Sequence, residues 1–566
     1  MKDQKIYFDW IRENRELIAG LVIFWITFLI MLIISLNLND GNIVYSLDDA
    51  YIHMAIAKNF AQRGVWGITK KKFSSSSSSI LYSLLLSFFF LFGPNEIVPL
   101  IINLIFANLL IFFIHYVLKK NGLPSYAIFV ALILIIFFIP IPFLIFTGME
   151  HIIQIFIDLM FVYLASNILI DENIQYRHII SKEKESITIQ DKFFFLIIPL
   201  VSMIRFEGMF FIFIISLLFL VRKKIFYSGF IMLLGFLPII IFGLISMSYG
   251  WYFFPNPVVL KGNIQSYTDI WSVLRIFDFD VFIKNPNILV LILAAAFFLS
   301  LNKVLKKDIW RLETIFAIVF VIVSCLHLLL IGAAYENQNL SRYEGYLIAL
   351  GIVVIFLYIL EYIPQGISLE QLESYVLKGK NNSRLFKIQL ITSCIILFFL
   401  FYTFIPRSIY LIRRTPQATN NIYEQQYQMG LFLQKYYEGE CIAVNDIGAV
   451  NYLSDIECLD LRGLGSDNVA RALVNDELDE EFVYKAAERH DCVIAIIYED
   501  KDYGYDIPSQ WTKVGEWELK YNVVCGDDTV SFWAVDPDEI NDLMEHLEDF
   551  SRFLPNNVIE SGNYTK

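Results

Sequence analysis

The sequence predicts a polytopic α-helical membrane protein that carries a water-soluble α/β domain at its C-terminal end. Three observations lead there. Of 566 residues, 57% are hydrophobic and 16% aromatic, and the mean hydropathy is +0.56, well above the apolar share of an ordinary soluble domain. Apolar runs of membrane length recur from Leu17 to about residue 405 and then stop. Charge divides near the same place: residues 421–566 hold 31 Asp/Glu against 10 Lys/Arg, a net of −21, so the whole-chain −13 leaves +8 for residues 1–420. A basic apolar part and an acidic polar part are two domains suited to different solvents. The acidic part argues against nucleic acid, whose phosphates demand a basic face.

The first run, Leu17 to Leu36, is long enough to span, and no small-residue cleavage site clearly follows it, so it reads as a signal anchor. Lys2, Lys5, Arg12 and Arg15 would hold its start in the cytoplasm. Spans are expected at about 17–36, 97–118, 123–146, 150–170, 193–204, 209–221, 225–248, 286–302, 312–333, 346–361 and 388–405. Eleven is odd, which puts the N-terminus inside and the C-terminal domain outside. The membrane domain is then 1–405, with a first outer loop at 37–96, and the acidic domain is 406–566. Ile80–Phe92 is apolar but only about 13 residues long, too short to cross a ~30 Å core, so it is an outer juxtamembrane helix. Charge agrees. With that choice Lys119/Lys120, Arg177/Lys182/Lys184/Lys192, Arg222–Lys224, Lys303/Lys306/Lys307/Arg311 and Lys378/Lys380/Arg384/Lys387 all fall inside, as the positive-inside tendency requires.

Residues 193–221 form one apolar stretch interrupted by Arg205-Phe206-Glu207-Gly208. As a single helix it would run about 43 Å with an ion pair near the bilayer centre. As two halves it brings Arg205 and Glu207 to the outer side, and broken helices belong where protein lines a cavity. An ion pair serving packing alone is the competing reading.

Under this topology the informative polar residues share one side. The first outer loop carries Asp48, Asp49, Tyr51, His53, Lys58, Arg63, Trp66 and Lys70–Lys72; later turns carry Thr147-Gly-Met-Glu150-His151, Arg205 with Glu207, the segment from Tyr249 through Asn256 to Lys261, and Tyr335 to Glu344 with Arg342 and Tyr343. Two adjacent carboxylates at the mouth of a hydrophobic protein are costly unless they act, although an Asp at this point is also a good helix N-cap. Glu150 also suits the positive start of its helix, and Trp251–Phe254 also suits an interfacial aromatic belt. The tract Ser74–Ser79, which includes Ser78 and Ser79, reads either as a flexible connector or, beside Lys70–Lys72, as a phosphate site at a helix start. His53 stands one turn after Asp49, short of the three or four ligands a metal site needs. A divalent metal is compatible with such carboxylates but not indicated, and no other cofactor is implied.

These residues resemble a family. Asp48-Asp-Ala-Tyr-Ile52, Ala57-Lys-Asn-Phe-Ala61, a Ser-rich start to an apolar helix at 74–86, Gly148-Met-Glu150 and Arg205-Phe-Glu-Gly208 resemble, in order, the GT-C polytopic glycosyltransferases. The likeness is strongest to the actinobacterial terminal arabinofuranosyltransferase branch and its bacterial relatives. Pro255-Asn256-Pro257 with Lys261 is similar to that group's Pro-Asn-Thr…Lys segment, and Arg342-Tyr343 to its Arg-Tyr before a late span. Val444-Asn-Asp-Ile-Gly-Ala449 and Leu459-Asp-Leu-Arg-Gly-Leu464 resemble the opening of its soluble domain. Ser78-Ser-Ile-Leu-Tyr82 stands where the family has Thr-Ser-Pro-Leu-Trp, Arg-Phe-Glu-Gly where it has Arg-Pro-Glu-Gly, and Pro-Asn-Pro where it has Pro-Asn-Thr.

The resemblance implies an inverting glycosyltransferase in the cell membrane, moving a sugar from a polyprenyl-phosphate donor on the outer face to a glycan, lipid or protein acceptor of the cell envelope. It implies one carboxylate base and cations on the departing phosphate. Asp48 is expected as the base, Asp49 as the residue that orients it or the acceptor, and Glu150 as a second acid at the site. Arg205, Lys261 and Arg342 are expected at the phosphate, with Tyr51, His53, Lys70, Ser78, Ser79, Glu207, Asn256 and Tyr343 as further substrate contacts. A ligase or polymerase moving a preassembled lipid-linked glycan is an alternative. A lipid or solute transporter is another, though no inverted repeat is visible.

In the acidic domain, Cys441–Asn445, Glu457–Leu461, Cys492–Tyr498, Lys513–Leu519 and Val530–Val535 read as strands, and Ile422–Tyr437, Asn468–Val474, Phe482–Arg489 and Glu539–Phe550 as helices. This is a small α/β layer domain, expected as an acceptor-positioning module or a lid. Its four cysteines, Cys441, Cys458, Cys492 and Cys525, permit two disulfides in three pairings or four buried thiols.

Overall fold

The computed structural model describes residues 9–171, 189–261, 280–331, 342–359, 384–499 and 505–565. Lys2, Lys5, Arg177, Lys182, Lys184, residues 335–341, Lys378 and Lys380 lie outside the described residues, as does the side chain of Lys261.

Seven described helices are long and apolar enough to cross a membrane: Arg15–Leu38, Ile97–Lys120, His151–Ile170, Ile225–Ser248, Pro286–Val304, Leu312–Leu330 and the stretch Cys394–Tyr436. Ile80–Phe90, Ser125–Phe138, Gly208–Val221 and Gly345–Tyr358 are apolar and shorter. Their apolar side chains form one large core, and the outward faces of the long helices leave residues such as Ile26, Ile30 and Ile33 about half exposed, as suits lipid. The helix Arg384–Ile422 passes the domain boundary expected at 405/406 without a break, then continues through a π-helical turn, Tyr423–Tyr427, into Gln428–Tyr436.

The interrupted stretch is broken where its polar residues stand. One helix ends at Ile204 and the next begins at Gly208. Glycine is required there, because a β-carbon would come 2.0 Å from the Val201 carbonyl oxygen.

The basic clusters gather at one end of the bundle, away from this turn. The Lys224 ammonium donates to the carbonyls of Ile168 and Asp171. Arg222 lies 4.7 Å over the Trp310 ring, and Lys120 lies 5.5 and 5.6 Å over Tyr116 and Tyr163. Between the latter, a groove of about 330 Å³ opens at this basic end.

The acidic domain is a six-stranded sheet in the order β2-β1-β3-β5-β4-β6, with β1 Cys441–Val444, β2 Glu457–Asp460, β3 Cys492–Ile497, β4 Thr512–Leu519, β5 Thr529–Ala534 and β6 Val558–Gly562. β1 pairs in parallel with both β2 and β3, and the remaining pairs are antiparallel. The chain leaves β1 to one side for β2 and reaches β3 on the other, so the carboxyl end of β1 is a topological switch point, where ligand crevices form in α/β sheets. Cys441 and Cys492 are joined by a disulfide, and Cys458 and Cys525 are free thiols, an outcome between the two expected. One of the two cores of this domain takes in Ile52, Ile56 and Ile68 of residues 37–96, packed with Met429, Ile447 and Val450. The two domains therefore share a core.

Candidate active site

Asp48 immediately precedes the helix Asp49–Arg63 but makes no side-chain cap bond to it. Its carboxylate crosses to the soluble domain instead. It accepts the backbone N–H of Gly448 at 2.7 Å and of Ala449 at 2.8 Å, at the start of the short helix Ala449–Leu453 just past the end of β1. Gly448 is tightly held: a β-carbon there would stand 2.1 Å from the Asp48 carbonyl oxygen. Burial, and then the Asp446 carboxylate, push Asp48 up to about 8 despite its two amide donors. Burial likewise raises Asp446.

Asp49 turns the other way. It forms an ion pair with Arg342, whose guanidinium also donates to the Tyr343 hydroxyl at 3.0 Å. Arg205 and Arg342 stand 5.0 and 4.9 Å from the centre of the Tyr343 ring. The Nη1 of Arg205 donates to Glu150 at 2.7 Å, while its Nε and Nη2 donate to Glu207 at 3.1 and 2.7 Å. Glu150 sits at the start of the helix His151–Ile170 and is fully buried. Its other oxygen lies 3.5 Å from Nε2 of His53. The Nδ1 of His53 meets the hydroxyls of Ser77 and Ser83, each at 3.1 Å. Burial holds His53 below the usual imidazole range against the pull of Glu150, so it is a neutral hydrogen-bonding group at pH 7. Three carboxylates and two guanidiniums thus converge at one place, all of them buried except Asp49, which is partly exposed. Tyr51 is also buried and packs edge-on against Tyr45.

The serine tract is engaged internally. Ser76 donates to Ser74, Ser77 to the Ser79 carbonyl, and Ser79 caps the helix Ile80–Phe90 by accepting from the Tyr82 N–H; Ser78 is half-buried. Lys70 donates to the Asp455 carbonyl at 3.3 Å, and Lys71 pairs with Glu457 at 2.7 Å. These lysines grip the soluble domain, as do Lys58 and Arg63, which bind the Asp455 carboxylate at 3.3 and 2.7 Å. Asn256 ties the two domains from another side, donating to the Gly463 carbonyl at 2.7 Å. Lys261 closes the helix Asn256–Lys261.

Sequence reasoning gave the soluble half of this arrangement no role at the site, though it noted 444–449 and 459–464 as motif segments. Gln426, on the π-helical turn, and Tyr498, just past β3, converge on Asp446: the Tyr498 hydroxyl donates to it at 2.5 Å and the Gln426 amide at 2.7 Å, with the Gln425 side-chain oxygen beside both. Asp460, at the end of β2, accepts from the N–H groups of Arg462 and Gly465; burial raises it to about 6. The signal was an Asp at or just past the end of a strand, which places it at the switch point only once the strand order is known. Among the described residues no group of three or more His, Cys, Asp or Glu is arranged to hold a metal ion.

Residues 420–533 match a domain family described only as a domain of unknown function, DUF8728. No curated protein is matched by the chain. Among solved structures, the chain is similar to the Archaeoglobus fulgidus oligosaccharyltransferase in its apo form. The identity is 12% and the TM-score 0.45, over 95% of this chain and 76% of that one.

Proposed function

We propose that this protein is a GT-C-type inverting glycosyltransferase of the cell membrane. In this reading it moves a sugar from a polyprenyl-phosphate donor to an envelope glycan, lipid or protein acceptor, with the soluble domain on the outer side. The observation that carries the reading is the pairing of Arg342 with a partly exposed Asp49 beside buried Arg205, Glu150 and Glu207, next to the docked soluble domain. Two guanidiniums flanking one tyrosine ring suit a phosphodiester, which accepts bidentate donors.

Each guanidinium is held by carboxylates, and a donor phosphate would compete for them. When phosphate takes Arg342, Asp49 loses its cation and becomes a stronger base. It then removes the proton of the acceptor hydroxyl while that oxygen attacks the anomeric carbon. The bond from that carbon to the phosphate oxygen breaks on the opposite face, and the prenyl phosphate leaves with its charge held by Arg342 and Arg205. Inversion follows from the single displacement. In this proposal Asp49 is the base, and Asp48 anchors the soluble domain through Gly448 and Ala449; the division expected from sequence is reversed. Glu150 and Glu207 hold Arg205 in place, and His53 orients Glu150.

The test is transfer in purified nanodiscs from a panel of polyprenyl-phosphate monosaccharides to extracted envelope acceptor. The reading expects an acceptor longer by one sugar. Extension by a whole glycan from a lipid-linked oligomer, with none from monosaccharide donors, would favour a ligase.

A further inference from the structure

One face of the helix His151–Ile170 carries His151, Gln154 and Asp158, spaced so that all three share a side. Each is 2% exposed or less. Both ring nitrogens of His151 have no hydrogen-bond partner among the described residues, and the Gln154 amide nitrogen and the Asp158 carboxyl, one turn apart, have at most each other. A histidine with neither ring nitrogen matched, beside an amide and a carboxyl that have at most each other, is costly inside a membrane-length helix, and such groups in native structures call for a water or a ligand. The face begins beside the proposed reaction centre: the His151 ring meets the Tyr343 ring edge-on at 5.7 Å. Asp158 lies within electrostatic range of Arg205 and Glu207, and the Tyr346 hydroxyl, bonded to His327 at 2.8 Å, closes the far side.

The mixture of groups discriminates among ligands. A phosphate only accepts hydrogen bonds when ionised, and the guanidiniums serve it. A prenyl chain needs no polar partner at all. This face offers donors and acceptors side by side over about 10 Å of helix, which matches a ring of hydroxyls that both donate and accept. We propose that it is the subsite for the glycosyl ring of the donor, with Gln154 and Asp158 binding its hydroxyls and His151 bridging ring and phosphate. The inference rests on the transferase reading and adds the place where the sugar is recognised.

The experiment separates the two. Wild-type protein in nanodiscs is titrated with farnesyl phosphate, then with farnesyl-phosphate pentofuranose and hexopyranose probes, and the dissociation constants are compared. At least one sugar probe binds about tenfold or more tightly than farnesyl phosphate, the effect of one to two well-formed hydrogen bonds. Asp158→Asn, which keeps the shape, and Gln154→Leu each cut that advantage to about threefold or less and leave farnesyl phosphate binding unchanged. No sugar advantage across the panel overturns the subsite. So does an advantage that survives both substitutions, or an equal loss for all probes, the mark of a structural role. Failure of wild-type protein to bind farnesyl phosphate refutes the phosphate reading of Arg205 and Arg342, and the subsite falls with it.

Discussion

Gly448→Ala isolates the contact that joins the two domains without touching a charged group. The added β-carbon would lie 2.1 Å from the Asp48 carbonyl oxygen and 2.6 Å from its carboxyl carbon. Real β-carbons do not approach backbone so closely, and neither partner has a flexible end to move aside. The turn must retreat by about 1 Å to reach van der Waals contact. The amide–carboxylate distances of 2.7 and 2.8 Å then pass the limit of a hydrogen bond. Two hydrogen bonds to a carboxyl that burial keeps largely neutral are lost, each about 0.5–1.5 kcal/mol, so docking weakens by about 1–3 kcal/mol. The ion pairs at Asp455 and the shared apolar core remain, so the domain loosens rather than detaches. Hydrogen exchange in nanodiscs should show faster exchange at 447–453 and in the helix 49–63, with the inner strands β1 and β3 still protected. Unchanged exchange at both places in a folded Gly448→Ala protein would refute the proposed anchoring role of Asp48.

Arg205→Lys leaves a single ammonium to serve Glu150 and Glu207, which the guanidinium reaches from different edges; breaking a buried pair costs about 3–5 kcal/mol, and both Tm and transfer should fall sharply. Docking should also depend on pH. Asp48 and Asp446 are raised in the docked state by burial, so their contribution is complete below the ordinary carboxylate range and fades as pH climbs through their raised values, which for Asp48 is about 8. Asp455 is lowered by Lys58 and Arg63 against the effect of burial, so its contribution is present above that range and lost in stronger acid. Exchange protection at 447–453 should therefore be greatest in mildly acidic solution. For topology, Glu440→Cys and Lys306→Cys, each in a Cys394→Ser background, should label oppositely in intact cells; equal labelling would contradict the outward placing of the soluble domain.

Much of the architecture was legible because its signals are local. Helix length and apolarity mark long elements such as Ile97–Lys120 and Ile225–Ser248. The break at Arg205–Gly208 shows as charge inside an apolar run. The inner strands of the soluble domain show as short β-branched stretches between polar turns. The short helix Ala449–Leu453 and the edge strand Val558–Gly562 were missed, since neither has an apolar period long enough to read. At the site, sequence could group Asp48, Glu150, Arg205 and Arg342 but not assign their partners. Asp48 and Asp49 are adjacent in sequence, yet they serve different domains, because the helix start turns one toward Gly448 and the other toward Arg342. The lysines beside the serine tract looked like phosphate ligands, and their real neighbours, Asp455 and Glu457, are nearly four hundred residues away. Only long-range packing fixes such choices.

The most direct test of the central claim compares Asp49→Asn with Asp48→Asn, assayed for sugar transfer from a polyprenyl-phosphate donor near pH 6, where docking is firm. Asparagine keeps the size of the side chain and removes its ability to take a proton. The account predicts that Asp49→Asn loses about 10²–10⁴-fold in transfer, the usual contribution of a general base. Asp48→Asn should lose less than about tenfold, because its remaining carbonyl oxygen still accepts one of the two amides. The opposite ranking, with Asp48→Asn inactive while exchange shows its soluble domain still docked and Asp49→Asn near normal, would return the base to Asp48 and contradict the mechanism.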